Sequence, residues 1–310
     1  MALDLRPLSI GELFDRAFTL YRRNLWLFVG VTAVPAVFAL VITLLMQAVQ
    51  HVSMQSSLAG AEQGEQAIAT VVWLVAGMFV VMVVYWVVYM VALGATTFAV
   101  SELYVGRPAT VSQAYGRMRS HIGALVVLLM IIGVRVFLVT LAAFVVVAFS
   151  SVALSLIHPA LAVIALAAGI GLLFLAVSFM MLRYGVAVPA LVLEGLKPGQ
   201  AVKRSIALTK GRLGRVFLLV LCATMVTYAA LTLFQGPFWI GAMMVGPDTA
   251  QGFWLNVVGA IAGTIGTTFT TPFMIIGLAL IYYDARIRQE GLDLELTLAA
   301  LDARPGMAGA

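Results

Sequence analysis

In the stretch MIIGVRVFLV, residues 130–139, one arginine, Arg135, stands among apolar residues, and the chemistry open to it is the capture of an anion. An arginine at the centre of a bilayer costs about 2.5–3.5 kcal/mol on insertion scales, so such a charge ordinarily faces a bundle interior or a wet cavity. The run holding it contains no acidic residue at the same depth. Its candidate partners are tyrosine, threonine or asparagine side chains, backbone carbonyls, or an external anion such as a lipid phosphate. Two readings stay open: contact with a ligand, and structural bonding or snorkelling. A second stretch, GAIAGTIGTTFTTPF, residues 259–273, sets hydroxyls at Thr264, Thr267, Thr268, Thr270 and Thr271 before the helix-disturbing Pro272. Gly259 and Gly263 form a small-xxx-small face suited to close helix approach. Helix packing is one reading of this segment and a polar groove or hinge the other. The candidate ligand-binding residues are therefore Arg135, Thr264, Thr267, Thr268 and Thr271.

The remaining reactive side chains do not assemble into catalysis. His51, His121 and His158 sit in different connections between apolar runs, with no carboxylate at metal-ligand spacing. Glu62 and Glu65 read as a solvated acidic pair, and Cys222, the single cysteine, as a packing residue. No Gly-rich stretch leads into Lys-Ser/Thr as a phosphate loop would. The expectation is no enzyme, no catalytic residue, no cofactor and no metal site.

The elements that must position Arg135 and the threonines follow from composition. Hydrophobic residues make up 63% of the 310, and charged residues only 10%, against about 25% in soluble domains. About 20 apolar residues cross a bilayer, and six runs qualify: roughly 25–49, 67–101, 122–150, 160–193, 216–235 and 255–283. The first begins too late and runs too long for a cleaved signal peptide. The connections 50–66, 151–159 and 236–254 carry no Lys or Arg, whereas the N-terminal segment, 102–121, 194–215 and the stretch after the last run are basic. By the positive-inside rule both termini and both basic connections are cytoplasmic. The net charge of +5 then serves orientation and anionic headgroups rather than nucleic acid.

The basic segments also repeat. RPLSIGELFDR, residues 6–16, and RPATVSQAYGR, residues 107–117, share Arg-Pro, a capping residue (Ser9, Thr110) and its partner three residues on (Glu12, Gln113). In the first copy Ile10, Leu13, Phe14, Ala17, Phe18 and Tyr21 recur at helical spacing, the mark of a helix lying on the membrane surface. KPGQAVKRSIALTKGR, residues 197–212, is a fainter third copy without the cap. The tripeptide EGL closes two hairpins, at Glu194–Leu196 and Glu290–Leu292, and Glu102 holds a comparable place. The expected fold is an all-α integral membrane protein with six transmembrane helices in three tandem repeats, about 6–101, 102–193 and 194–292. Each repeat is an interfacial amphipathic helix plus a helical hairpin, and residues 293–310 form a cytoplasmic tail to this single membrane domain. The cations expected at the membrane surface are Arg16, Arg22, Arg23, Arg117, Arg119, Lys203, Arg204, Lys210, Arg212 and Arg215. Arg183, near the end of the fourth run, reads as an interfacial anchor.

LRPLSIGELFDRAFTLYRRN at the start and IYYDARIRQEGLDLEL after the last run resemble the ends of bacterial proteins grouped as the glycerophosphoryl diester phosphodiesterase membrane domain family. The likeness covers essentially the whole chain and implies a link to phosphodiesterases, because in some members this domain precedes a catalytic one. It carries over no catalytic residue, and every loop here is too short for a barrel-sized catalytic domain. The expected function is that of a non-enzymatic bacterial inner-membrane protein that binds or moves a lipid or other amphiphile, or scaffolds membrane assembly. The alternative is an auxiliary membrane domain for a separately encoded lipid-metabolising enzyme. Expected partners are membrane lipids, anionic ones above all; a protein partner in the membrane is compatible with the pattern.

Overall fold

The structure is a computed structural model that describes residues 8–58, 64–104, 106–246 and 249–291, with the side chains of 51–58, 64–72, 74 and 75 outside the description. Arg6, Pro7, Glu62, Leu292, Arg304 and the tail 293–310 lie outside the described residues, as do the side chains of His51 and Glu65.

Runs with almost no charge and few turn residues leave the backbone only one way to pair its N–H and C=O groups within the segment, the helix. All regular structure among the described residues is helical: α1 (Ile10–Arg23), α2 (Leu25–Leu58), α3 (Gly64–Tyr104), α4 (Val111–Met118), α5 (Ile122–Ser155), α6 (Pro159–Tyr184), α7 (Ala187–Glu194), α8 (Pro198–Thr209), α9 (Leu213–Val245) and α10 (Ala250–Glu290). Six helical stretches are long and apolar enough to cross a membrane: Leu25–Gln50, Ala76–Tyr104, Val111–Ser155, Pro159–Glu194, Leu213–Val245 and Ala250–Glu290. Their outer faces are apolar, with Phe149 74% and Phe174 71% exposed, the inverse of a water-soluble surface. Residues 236–245, expected as connection, are helix: Pro237 does not terminate α9, because the apolar run continues beyond it.

The chain divides into two packing units. One gathers residues 9–122 and 218–277; the other gathers Leu8, residues 123–217 and those from Leu278 onward.

Both predicted capping boxes form. Ser9 Oγ accepts from Glu12 N at 3.2 Å while Ser9 N donates to Glu12 Oε2 at 2.8 Å; Thr110 and Gln113 repeat the exchange at 3.3 and 3.1 Å. α8 starts instead on Pro198, with no side-chain cap. The apolar stripe of α1 divides: Leu13 and Ala17 are buried, Ile10 and Phe18 stay exposed.

A proline inside a helix strands the carbonyl four residues earlier. Pro35 in α2 frees the Val31 carbonyl, and the Tyr115 hydroxyl of α4 donates to it at 2.7 Å. Pro272 in α10 frees the Thr268 carbonyl, which lies 3.2 Å from the Thr32 hydroxyl; Tyr21 of α1 donates to the next carbonyl, Phe269, at 2.6 Å. At the break between α6 and α7, Ser205 of α8 donates to the Arg183 carbonyl at 2.6 Å. Each of the short helices α1, α4 and α8 thus supplies a hydroxyl to an interrupted long one. Tyr115→Phe should lower stability by about 0.6–1.7 kcal/mol, the range for hydrogen bonds between membrane helices. A thermal melt in detergent identical to that of the unsubstituted chain would contradict the role given to this bond.

Candidate functional site

Arg135 sits in α5 about four turns from its start, continuing the stripe of the buried Leu125, Leu128 and Ile132. It is half-buried, and its guanidinium makes no hydrogen bond or ion pair among the described residues. The segment from Ile122 to Tyr184, all of α5 and α6, contains no Asp or Glu. Arg183, on α6, is half-buried as well: its guanidinium stacks 4.9 Å from the Phe179 ring, and its Nε is buried with no hydrogen-bond partner.

The threonines of α10 are occupied locally. Thr264 donates to the Ala260 carbonyl, Thr267 and Thr268 to Thr264, and Thr270 and Thr271 to Thr267, at 2.7–3.3 Å. Such back-bonding engages each hydroxyl proton within the helix and leaves the oxygen lone pairs as acceptors. The glycine face beside it is filled by α9: a Cβ at Gly263 would meet Gln235 Oε1 at 2.8 Å, and one at Gly266 would meet Phe234 Cδ2 at 2.7 Å. Gln47 of α2 reaches the same helix with its Nε2 at 3.5 Å from the Asn256 carbonyl, while its Oε1 is buried without a partner.

Basic residues of the second packing unit converge on three carboxylates. Asp284, 3% exposed, accepts from Leu8 N at 2.9 Å, Arg288 Nε at 2.9 Å and Arg215 Nη1 at 3.0 Å. Arg215 and Arg288 also donate to the Leu8 carbonyl, at 3.0 and 2.5 Å. Nearby, Arg204 Nε lies 2.9 Å from Glu194 Oε2 and its Nη atoms pair with Glu290; Tyr282 donates to Glu194 at 2.7 Å, and Arg286 Nε to Glu290 at 3.0 Å. The hydrogen bond to Glu290, then that to Glu194, raises the Arg204 pKa above its ordinary value against the effect of burial. Burial pushes Arg212 down, and neighbouring Arg288 and Arg215 add to this against the pull of Asp284.

The two EGL glutamates, 96 residues apart in the chain, thus share one arginine. Each is followed by a glycine with positive φ, 63° at Gly195 and 65° at Gly291, the left-handed conformation that ends a helix and favours glycine.

Of the cations expected at a membrane surface, Arg22, Arg23, Arg117, Arg119, Lys203 and Lys210 are exposed and make no ion pair among the described residues. Arg204 and Arg215 are instead committed to protein carboxylates, Arg212 donates to the Ala285 carbonyl at 3.3 Å, and Arg16 is half-buried. Sequence reasoning missed Asp284 and Tyr282 and saw Glu194 and Glu290 only as repeat markers; the duplicated EGL was the available signal. His158 caps α6 by accepting from Ala160 N at 3.1 Å, and His121 Nδ1 lies 3.2 Å from the Arg117 carbonyl.

Between α2 and α3 runs an open groove of about 530 Å³, lined by Ile42, Met46, Met78, Met82, Tyr85 and Trp86 among others. The Thr43 hydroxyl on its wall donates to Ala39, which leaves the groove apolar. No family model, no curated protein and no solved structure matches the chain.

Proposed function

We propose that this is a non-enzymatic protein of the bacterial inner membrane that binds, and in that way holds or moves, an anionic lipid or similar amphiphile. The observation that carries the proposal is Arg135: a guanidinium inside an apolar span, with no hydrogen bond or ion pair among the described residues, which supports a counter-anion from outside the chain. The apolar groove between α2 and α3, with room for hydrocarbon, supports an acyl-chain ligand. The exposed Arg22, Arg23, Arg117, Arg119, Lys203 and Lys210 support attraction to anionic headgroups, worth about 1 kcal/mol per cation near such a surface.

The tandem organisation belongs to the same proposal. Three short helices, α1, α4 and α8, each precede two long helical stretches, and each donates a hydroxyl to an interrupted long helix, which supports three copies of one unit. In that arrangement the short helices lie at the cytoplasmic surface and both termini are cytoplasmic. The resemblance of the chain ends to the glycerophosphoryl diester phosphodiesterase membrane domain family accords with this reading. A cysteine at Ile157, between α5 and α6, in a Cys222→Ala background should react with a membrane-impermeant thiol reagent in intact spheroplasts. Reaction only after lysis would reverse the orientation.

Arg135→Gln keeps a hydrogen-bonding end and removes the charge. Native mass spectrometry of the purified protein should show reduced retention of phosphatidylglycerol with an unchanged melting curve. Undiminished retention in a well-folded variant would overturn the proposal.

A further inference from the structure

Three guanidiniums crowd one carboxylate near the end of α10. Arg215 Nη1 and Arg288 Nη2 both donate to the Leu8 carbonyl oxygen, at 3.0 and 2.5 Å, so these two nitrogens stand no more than 5.5 Å apart. Both side chains also bond Asp284, Arg215 through Nη1 at 3.0 Å and Arg288 through Nε at 2.9 Å. Arg212 joins them from the turn before α9. It stands three residues from Arg215, whose main-chain N–H donates to the Arg212 carbonyl at 3.0 Å. Its own Nη1 donates at 3.3 Å to the carbonyl of Ala285, the residue after Asp284. Burial, and after it the charges of Arg288 and Arg215, push the Arg212 pKa down against the pull of Asp284, so Arg212 lies within electrostatic reach of both.

Charge does not balance in this cluster. The other described carboxylates of the same packing unit, Glu194 and Glu290, are taken by Arg204 and Arg286. Three positive charges therefore face one negative, and the Arg215 and Arg288 side chains are only 29% and 26% exposed, so water screens the surplus of two incompletely. Donors are in surplus as well. Arg212 Nε and Nη2, Arg215 Nε and Nη2, and Arg288 Nη1 have no partner among the described residues. The free nitrogens of Arg212 and Arg215 are open to the surface rather than buried, and Arg288 is exposed.

A phosphate monoester answers both surpluses: it carries about 1.5–2 negative charges near neutral pH and three strong acceptor oxygens. Its charge-assisted bonds to guanidinium nitrogens, about 2.7–2.9 Å each, reach across a separation of the size found between Arg215 and Arg288. A diester, with one charge, leaves half of the surplus unanswered. We propose that Arg212, Arg215 and Arg288 together hold a phosphate monoester at the surface where Leu8 and the start of α9 meet the end of α10. This site lies on other helices than Arg135 and goes beyond the function proposed above. The monoester is carried by a lipid headgroup, as in phosphatidic acid, or by a soluble phosphate, and both present the same oxygens.

Arg212 separates this role from a structural one. It bonds neither Asp284 nor Leu8, so Arg212→Gln leaves the hold on Leu8 intact and removes a like charge from beside Arg215 and Arg288. Without phosphate, the full chain in detergent carrying Arg212→Gln should not melt below the unsubstituted protein. The probes are inorganic phosphate, read as a shift of the melting curve, and phosphatidic acid against phosphatidylglycerol, read by native mass spectrometry. The lipid comparison is made in the Arg135→Gln background, so that an anion held in α5 does not contribute. The probe that binds should lose about tenfold or more in affinity in Arg212→Gln, with Arg212→Lys falling between; if Arg212→Gln does not fold, Arg212→Lys carries the comparison. A response to phosphatidic acid supports the site with a headgroup as the source, and a response to inorganic phosphate supports it with a soluble source. Equal retention of phosphatidic acid and phosphatidylglycerol without a phosphate shift overturns the monoester assignment. No response to either probe, or equal binding by the unsubstituted chain and both Arg212 variants, overturns the site. Neither result touches the function proposed for Arg135, which is read separately from loss of phosphatidylglycerol in Arg135→Gln.

Discussion

Asp284→Ala is expected to destabilise the folded protein by about 3–5 kcal/mol, the cost of removing one partner from a buried ion pair. The carboxylate is 3% exposed and serves three donors, Leu8 N, Arg215 and Arg288. Alanine leaves two guanidiniums facing each other and Arg212 across a site with no anion, and it frees the main chain at Leu8. The loss is larger than the worth of the pair itself, because desolvation of the surviving charges is no longer offset. Asp284→Asn should lose less, since its carbonyl oxygen can still accept from Leu8 N. Thermal melting in detergent reads the difference; an alanine variant melting within a degree of the unsubstituted protein would show that the site admits water and that the pair is ornamental.

Gly277→Val is expected to destabilise by about 1–3 kcal/mol through overpacking. A Cβ on residue 277 would lie 2.4 Å from Leu219 Cδ1, 2.7 Å from Cδ2 and 3.1 Å from Cγ. Leu219 is 1% exposed, so its side chain cannot give way toward solvent. The pair gives its own control: Leu219→Ala opens a cavity, and Gly277→Val placed in that background should be less damaging than in the unsubstituted protein. If the two effects simply add, the two side chains do not compete for the same space.

What was legible in the sequence was what depends on neighbours in the chain. Ser9 and Glu12, and Thr110 and Gln113, stand three residues apart, and a capping box needs nothing else. The six long apolar helices followed from run length and scarcity of charge, because a segment without water must pair its own backbone. The ends of these runs were misjudged: residues 51–58 and 236–245 are helix, because a helix once started continues through moderately polar residues and even Pro237 while its hydrogen bonds are maintained. The threonines of α10 carried two readings, helix packing and a polar groove or hinge, and their three- and four-residue spacing is what lets each hydroxyl bond back to its own helix.

The sequence by itself determined that the chain is helical and rich in membrane-length apolar segments, where its short helices begin, and that Arg135 has no acidic neighbour along α5 or α6. All of these are set by composition or by separations of a few residues. Only the tertiary structure decided which donors answer the carbonyls freed at Pro35 and Pro272, that Glu194 and Glu290 share Arg204, and that Asp284 holds Leu8 from 276 residues away. Tyr21 shows why. Helical spacing placed it on an apolar stripe, but whether its hydroxyl meets water, lipid or the Phe269 carbonyl depends on which helix packs beside it, and local spacing does not specify a packing partner 248 residues along the chain.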